Sequence, residues 1–293
     1  MNHHLQRDHL VALAERAEGI MTDGGYHTEA GQQVEIQPQL ATSVAGTELL
    51  LPQDWDGILT QARQICAAGR QPCAVQVTNE ATLEALDRLI LRTGNQRVAA
   101  LNFASARNPG GGWKTGATAQ EETIARESGL PATLARAPGY YHANRHQASL
   151  LYTDHAIWSP AVPVFASVDH QLLMAPYVAD FITMPAPNPG GMISISEQTL
   201  HELVVVWRHR IRCVLALAIV KQVRHLVLGA WGCGAFGNDP VMVSRWFAEA
   251  LHPDEPWRRG LEGITFAIFD LSRRRASLQT FQTTLAPLAI PIL

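Results

Sequence analysis

Two short segments bring residue types able to do chemistry into close spacing. Gly110-Gly111-Gly112 removes every Cβ from one turn, which permits positive φ and lets a ligand approach the backbone. Exposed amides in such a turn can form an anion-binding nest. After a seven-residue spacer comes Gln120-Glu121-Glu122. Alone, three glycines also fit a flexible surface loop; the paired carboxylates change the reading. Thr118-Ala119-Gln120-Glu121 fits a capping box, with Glu121 reaching back to the Thr118 amide, and acids suit the start of a helix. Sequence neighbours do not share a helix face, so a cap accounts for Glu121 and leaves Glu122 free to face the glycine loop. A glutamate facing a phosphate-cradling loop suits cleavage of a glycosidic bond near a diphosphate. It can protonate the departing oxygen and then, as carboxylate, activate water. Such an acid must hold its proton near neutrality, which partial burial or the adjacent carboxylate would favour.

A second glycine segment, Gly232-Cys233-Gly234-Ala235-Phe236-Gly237, satisfies G-x-G-x-x-G. It follows a short apolar run and precedes a helical pattern, as a dinucleotide fingerprint does. A Rossmann oxidoreductase is therefore a rival. Its acidic residue would be Asp270, which lies 33 residues past Gly237, against about 20 expected. Hydride transfer also leaves residues 110–122 without a task.

The elements that must position these segments alternate between strand and helix. An amphipathic helix is expected over 5–20, with short strands near 34–36 and 48–51. Strands are expected at 73–77, 98–103, 162–166, 181–185, 225–228 and 264–270. Helices are expected over 82–92, 119–128 (stopped by Gly129 and Pro131), 202–220 and 239–251. This is an α/β pattern with a largely parallel or mixed sheet, in which ligands sit at the carboxyl ends of strands. Both glycine segments lie there. Residues 1–70 read as a mostly helical N-terminal extension packed on a core domain of residues 71–293.

Composition narrows the classes. The chain has 293 residues, 47% of them hydrophobic, ample for a buried core. Its net charge of -3 gives no basic field, so direct nucleic-acid binding is not expected. Cys66, Cys73, Cys213 and Cys233 show no zinc-site spacing; reduced thiols in a cytoplasmic, monomeric protein are the expectation. Residues 1–7 lack an apolar signal-peptide region, and the apolar stretch 213–220 is too short to span a membrane.

Here the chain resembles a known family. The triple glycine, the seven-residue spacer and Gln120-Glu121-Glu122 are similar to the signature of the poly(ADP-ribose) glycohydrolases. Leu101-Asn102-Phe103-Ala104-Ser105, with Asn108-Pro109 before the glycines, is closer to the bacterial-type, macrodomain-fold branch. The similarity continues in Ala186-Pro187-Asn188 and in residues 229–240. The resemblance implies a three-layer α/β/α macrodomain-like fold that binds ADP-ribose between two loops. It implies hydrolysis of the ribose–ribose bonds of poly(ADP-ribose), releasing ADP-ribose, with no metal or redox cofactor. Carried onto this chain, Glu122 is the catalytic acid, Glu121 holds hydroxyls of the reacting ribose and Gln120 helps orient them. Asn108 and Gly110, Gly111 and Gly112 lie beside the diphosphate. Gly232, Cys233, Gly234, Ala235, Gly237 and Asn238 wrap it, and Phe236 packs on a ribose; Asn238 and Asp239 shape the turn into the next helix. The partner is poly(ADP-ribose) or an ADP-ribosylated protein. A macrodomain that reads ADP-ribose without cutting it, and a hydrolase of mono-ADP-ribose, are the alternatives.

Other residues admit two readings. Tyr140, Tyr141, His142, Asn144, Arg145 and His146 could contact ligand or form a packed surface segment. Trp231 stacks on a ligand or packs internally. Arg273–Arg275 reads as a solvated helix start, and none of the 12 histidines forms a metalloprotease-type pair.

Overall fold

A computed structural model describes residues 3–68, 71–94 and 96–288. Helix α1 (His3–Asp23) leads into a hairpin of β1 (Gly25–His27) and β2 (Gln33–Glu35), then α2 (Gln37–Ala45). Strand β3 (Glu48–Leu50), α3 (Trp55–Ala67), β4 (Ala74–Thr78), α4 (Thr82–Thr93) and β5 (Val98–Phe103) follow. Helices α5 (Gln120–Glu127), α6 (Leu130–Ala135) and α7 (Pro138–His146) precede the long strands β6 (Ala156–Ala166) and β7 (Leu172–Met184). The chain continues with α8 (Glu197–Val220), β8 (His225–Leu228), α9 (Pro240–Ala250), β9 (Gly263–Ala267) and α10 (Ala276–Leu285).

Seven strands form one mixed sheet in the order β3-β6-β7-β5-β8-β9-β4. From β7 to β4 the pairs are parallel; β3, β6 and β7 pair antiparallel. The parallel strands are apolar because helices cover both faces, and alternate residues serve opposite layers. Ala99 and Leu101 of β5 join the core beneath α3, α8, α9 and α10, whereas Val98 and Ala100 join the core beneath α4, α5, α6 and α7. This is the expected three-layer α/β/α arrangement. A third cluster joins α1 and the small hairpin to Trp113, Ala125 and Phe165, so α1 backs α5 and the turn after the triple glycine.

The strands expected at 162–166 and 181–185 are the ends of β6 and β7, which run 11 and 13 residues. Pro160, Pro163 and Pro176 disguised them. These prolines lie where β6 has left β3 and before β7 meets β5, positions with no ladder amide to lose. Gly129 and Pro131 do end α5, but Pro131 then sits in the first turn of α6, where a missing amide is harmless. The last strand stops at Ala267, leaving Asp270 in a loop. The expected boundary at residue 70 lies outside the described residues. N-terminal to it, β3 is an edge of the main sheet, and Trp55, Ala62 and Cys66 of α3 belong to its core.

Candidate active site

The two glycine loops leave the carboxyl ends of β5 and β8, adjacent parallel strands. A cavity of about 660 Å³ opens between the start of α5 and the second of these loops, a size suited to a small-molecule ligand. One wall carries Ser105, Gln120, Glu121 and Glu122; the other is Gly232 to Phe236. Its rim includes Glu80 and Thr82 at the start of α4, and Phe269 and Asp270 after β9.

The two glutamates differ in depth. Glu121 is buried, and its carboxyl accepts from Asn102 Nδ2 at 3.1 Å and from the Ser105 amide at 2.6 Å. Glu122 is half-buried, and its Oε1 accepts from the Gly112 amide at 2.9 Å. The expected capping box does not form. Helix α5 begins at Gln120 with Ala119 as its cap residue and no side-chain cap. Glu121 is therefore one residue too early to reach back, and it turns into the interior instead. Burial raises its pKa to about 8, against the pull of the Ser105 and Asn102 hydrogen bonds and with a smaller upward push from Glu122.

That shift has a consequence for stability. In the unfolded chain Glu121 loses its proton near pH 4.5, but in the folded protein it keeps it to about pH 8. The stabilising difference is complete below pH 4.5 and is lost as pH rises towards 8. Glu121→Gln, neutral throughout, should escape this loss. Its thermal midpoint should exceed that of the parent by a margin that grows between pH 5 and pH 8.5, worth a few kcal/mol at most. A pH-independent margin would refute the buried proton.

The glycines work from behind the carboxylates. Gly110 and Gly111 have φ of +73° and +63°, and a Cβ on Gly111 would lie 2.2 Å from Glu122 Oε1 and 3.1 Å from Glu121 Oε2. The loop backbone thus touches both carboxyls, a distance only glycine allows. Three residues expected at the ligand have protein partners. Asn108 is exposed, and its carbonyl closes the turn by accepting from the Gly111 amide. Gln120 reaches the cavity wall, but its side chain accepts from the Phe103 amide and donates to Leu101 O and Thr82 Oγ1. It staples α5 to the end of β5. Asn238 is buried; it accepts from Trp207 Nε1 and donates to Pro187 O and Gly232 O. These bonds occupy its side-chain amide and hold the second loop in shape. Asn238→Ala should cost roughly 2–3 kcal/mol, because it strands a buried indole N–H and two carbonyls. A denaturant midpoint unchanged from the parent would contradict that bonding.

In the second loop, Gly232 and Gly237 have φ of +71° and +68°. A Cβ on Gly232 would strike Ala186 at 2.6 Å, and Gly237 packs against Gly190. Phe236 lines the cavity with its ring 6.0 Å from that of Tyr152. Burial raises the Cys233 thiol to about 12, which removes it as a nucleophile at neutral pH. Asp239 caps α9 through the Val241 amide. The Asp270 carboxylate is occupied by the Ser272 and Ser277 amides, so the acid of the Rossmann reading is not presented from a strand end.

Tyr140, Tyr141 and Asn144 are buried, while His142, Arg145 and His146 face outward. The Tyr140 hydroxyl supports the site by donating to Ser105 O at 3.4 Å. Trp231 packs edge-on against Trp207. Arg273–Arg275 are exposed and directly precede α10. Sequence reasoning missed Asn102 and Ser105 as carboxylate partners, and Thr82 on the rim. Asn102 left one signal, as the single polar side chain in an apolar strand. Among the described residues, no group of three or more His, Cys, Asp or Glu could hold a metal ion, and no helix is long and apolar enough to cross a membrane.

Comparison with known proteins agrees with this geometry. The family profile of the microbial-type PARG catalytic domain matches residues 14–167. No curated protein sequence matches. The poly(ADP-ribose) glycohydrolase of Thermomonospora curvata is 39% identical with a TM-score of 0.90, over 95% of this chain and 100% of that one. Its complex with the inhibitor ADP-HPD gives 38% and 0.87, over 94% and 99%. The Deinococcus radiodurans enzyme in complex with ADP-ribose gives 41% and 0.80, over 86% and 99%. With two glycine loops facing a carboxylate pair and this likeness along nearly its whole length, the chain belongs to the microbial-type poly(ADP-ribose) glycohydrolase family.

Proposed function

We propose that the protein hydrolyses the ribose–ribose O-glycosidic bonds of poly(ADP-ribose) and releases ADP-ribose. The observation that carries this reading is the pair of carboxyls in one cavity wall: Glu121 deep and bonded to Asn102 and Ser105, Glu122 shallower and fixed by Gly112. The cavity binds ADP-ribose, as the solved Deinococcus radiodurans relative does.

Glu122 acts first as acid. As the glycosidic C–O bond breaks, it gives its proton to the departing ribose oxygen and becomes a carboxylate. The ribose carbon left behind has oxocarbenium character. Glu122 then takes a proton from water as the water oxygen bonds to that carbon. Glu121 keeps its proton to about pH 8 and holds the ribose hydroxyls. The amides of Gly232 to Gly237 receive the diphosphate, since glycine lets the anion approach backbone N–H groups closely.

The direct test follows free ADP-ribose by chromatography, from the polymer and, in parallel, from a protein carrying single ADP-ribose units. Release from the polymer is expected. Tight polymer binding without release would make the protein a reader, and release from the mono-modified protein alone would make it a mono-ADP-ribosyl hydrolase.

A further inference from the structure

One buried cation beside the carboxylate pair has no task in the reaction so far. Arg126 lies in the last turn of α5 and is 1% exposed. Its Nη1 donates to the Trp113 carbonyl at 3.1 Å, and its Nε is buried with no hydrogen-bond partner. An interior guanidinium with an unpartnered Nε is costly to desolvate, and burial lowers its pKa while the charges of Glu127 and Glu122 act in the opposite sense. The neighbouring Glu127 is fully buried and engaged elsewhere: His170 bonds its Oε1, and Arg16 of α1 lies 3.8 Å from Oε2.

Arg126 stands four residues after Glu122, so the two share a face of α5. They also grip consecutive residues of the glycine loop. Glu122 takes the Gly112 amide, and Arg126 takes the carbonyl of Trp113, the next residue. The chain from Gly112 to Trp113 is thereby pinned to the helix that carries the acid.

We propose that Arg126 is a positioning residue for Glu122, fixing the glycine loop through the Trp113 carbonyl and holding a positive charge one helical turn behind the carboxylate. When Glu122 gives up its proton, it becomes an anion on the cavity wall. A fixed guanidinium close behind favours that anion without having to reorganise. The proposed diphosphate contacts lie on the opposite wall, so loss of Arg126 slows the chemical step more than it weakens binding.

This inference rests on Glu122 being the acid, and the experiment separates the two. Arg126→Met, Arg126→Gln and Arg126→Lys are compared with Glu122→Gln by kcat on poly(ADP-ribose), affinity for ADP-ribose and thermal midpoint. Arg126→Met should lower kcat on the order of 100-fold, with ADP-ribose affinity within about threefold of the parent. Arg126→Lys, which keeps a charge and a donor, should stay within about tenfold. If the Met form does not fold, the contrast between Gln and Lys decides. A kcat within threefold in the Met or Gln form overturns the inference. So does a loss of kcat and affinity in step with the thermal midpoint in all forms, Lys included. An active Glu122→Gln would instead overturn the reading of the acid.

Discussion

Glu122→Gln should lower kcat for release of ADP-ribose from poly(ADP-ribose) by roughly 10²–10⁴-fold, the range for removing a positioned general acid–base. The substitution keeps shape and volume. The amide oxygen of glutamine can still accept from the Gly112 amide, as Glu122 Oε1 does at 2.9 Å, so the loop stays in place. What disappears is a proton that can be given and taken back. Affinity for ADP-ribose should remain within a few-fold, because the proposed diphosphate contacts lie on the second loop, across the cavity from Glu122. Steady-state rates beside calorimetric titration with ADP-ribose read both quantities. A fall in affinity that matches the fall in rate would reassign Glu122 to substrate binding, and an unchanged rate would remove it from the chemistry.

The second large effect is expected at Gly111. An alanine Cβ would sit 2.2 Å from Glu122 Oε1 and 2.9 Å from its Cδ, on a backbone with φ of +63°. The obstructing atoms are the end of a flexible side chain, so the fold can survive by letting Glu122 swing aside. The left-handed backbone then costs only about 1–2 kcal/mol. Catalysis has no such escape, because the displaced group is the proposed acid. Gly111→Ala should therefore lose on the order of 10²-fold or more in kcat while its thermal midpoint falls by only a few degrees. Equal retention of rate and stability would mean that the loop does not press on the carboxylates. A collapse of the fold would mean that it cannot relax around them.

Much of this was legible in the chain itself. Val98–Phe103 and His225–Leu228 read as strands because each is a short apolar run closed by a glycine-rich turn, and the structure has strands over those residues. The two loops, their place at strand ends and the glutamates beside them follow from residue type and order; that the two strands are neighbours is a property of the sheet. Less legible was α7, whose tyrosines and histidines carry no clear period yet bury Tyr140, Tyr141 and Asn144. The prolines of β6 and β7 hid long strands, since their harmlessness depends on which stretches lack a third strand, and that is a property of the assembled sheet.

The division of labour between Glu121 and Glu122 shows where sequence reasoning ends. Local chemistry alone determined that two adjacent acids open a helix beside a loop without Cβ atoms, and it favoured a cap for the first. Tertiary packing decided otherwise. Gln120 stapled α5 to β5, which carried Glu121 beneath Asn102 and the Ser105 amide and left Glu122 against Gly112. Burial is set by what lies across a contact, and those partners come from β5 and the loop that follows it, 19 and 16 residues away in the chain. The same holds for Asn238, whose Oδ1 accepts from Trp207, and for Arg126, whose Nη1 donates to the Trp113 carbonyl. Residue order supplied the chemical groups; the packing of α5 on β5 determined which carboxyl is buried and which meets the cavity.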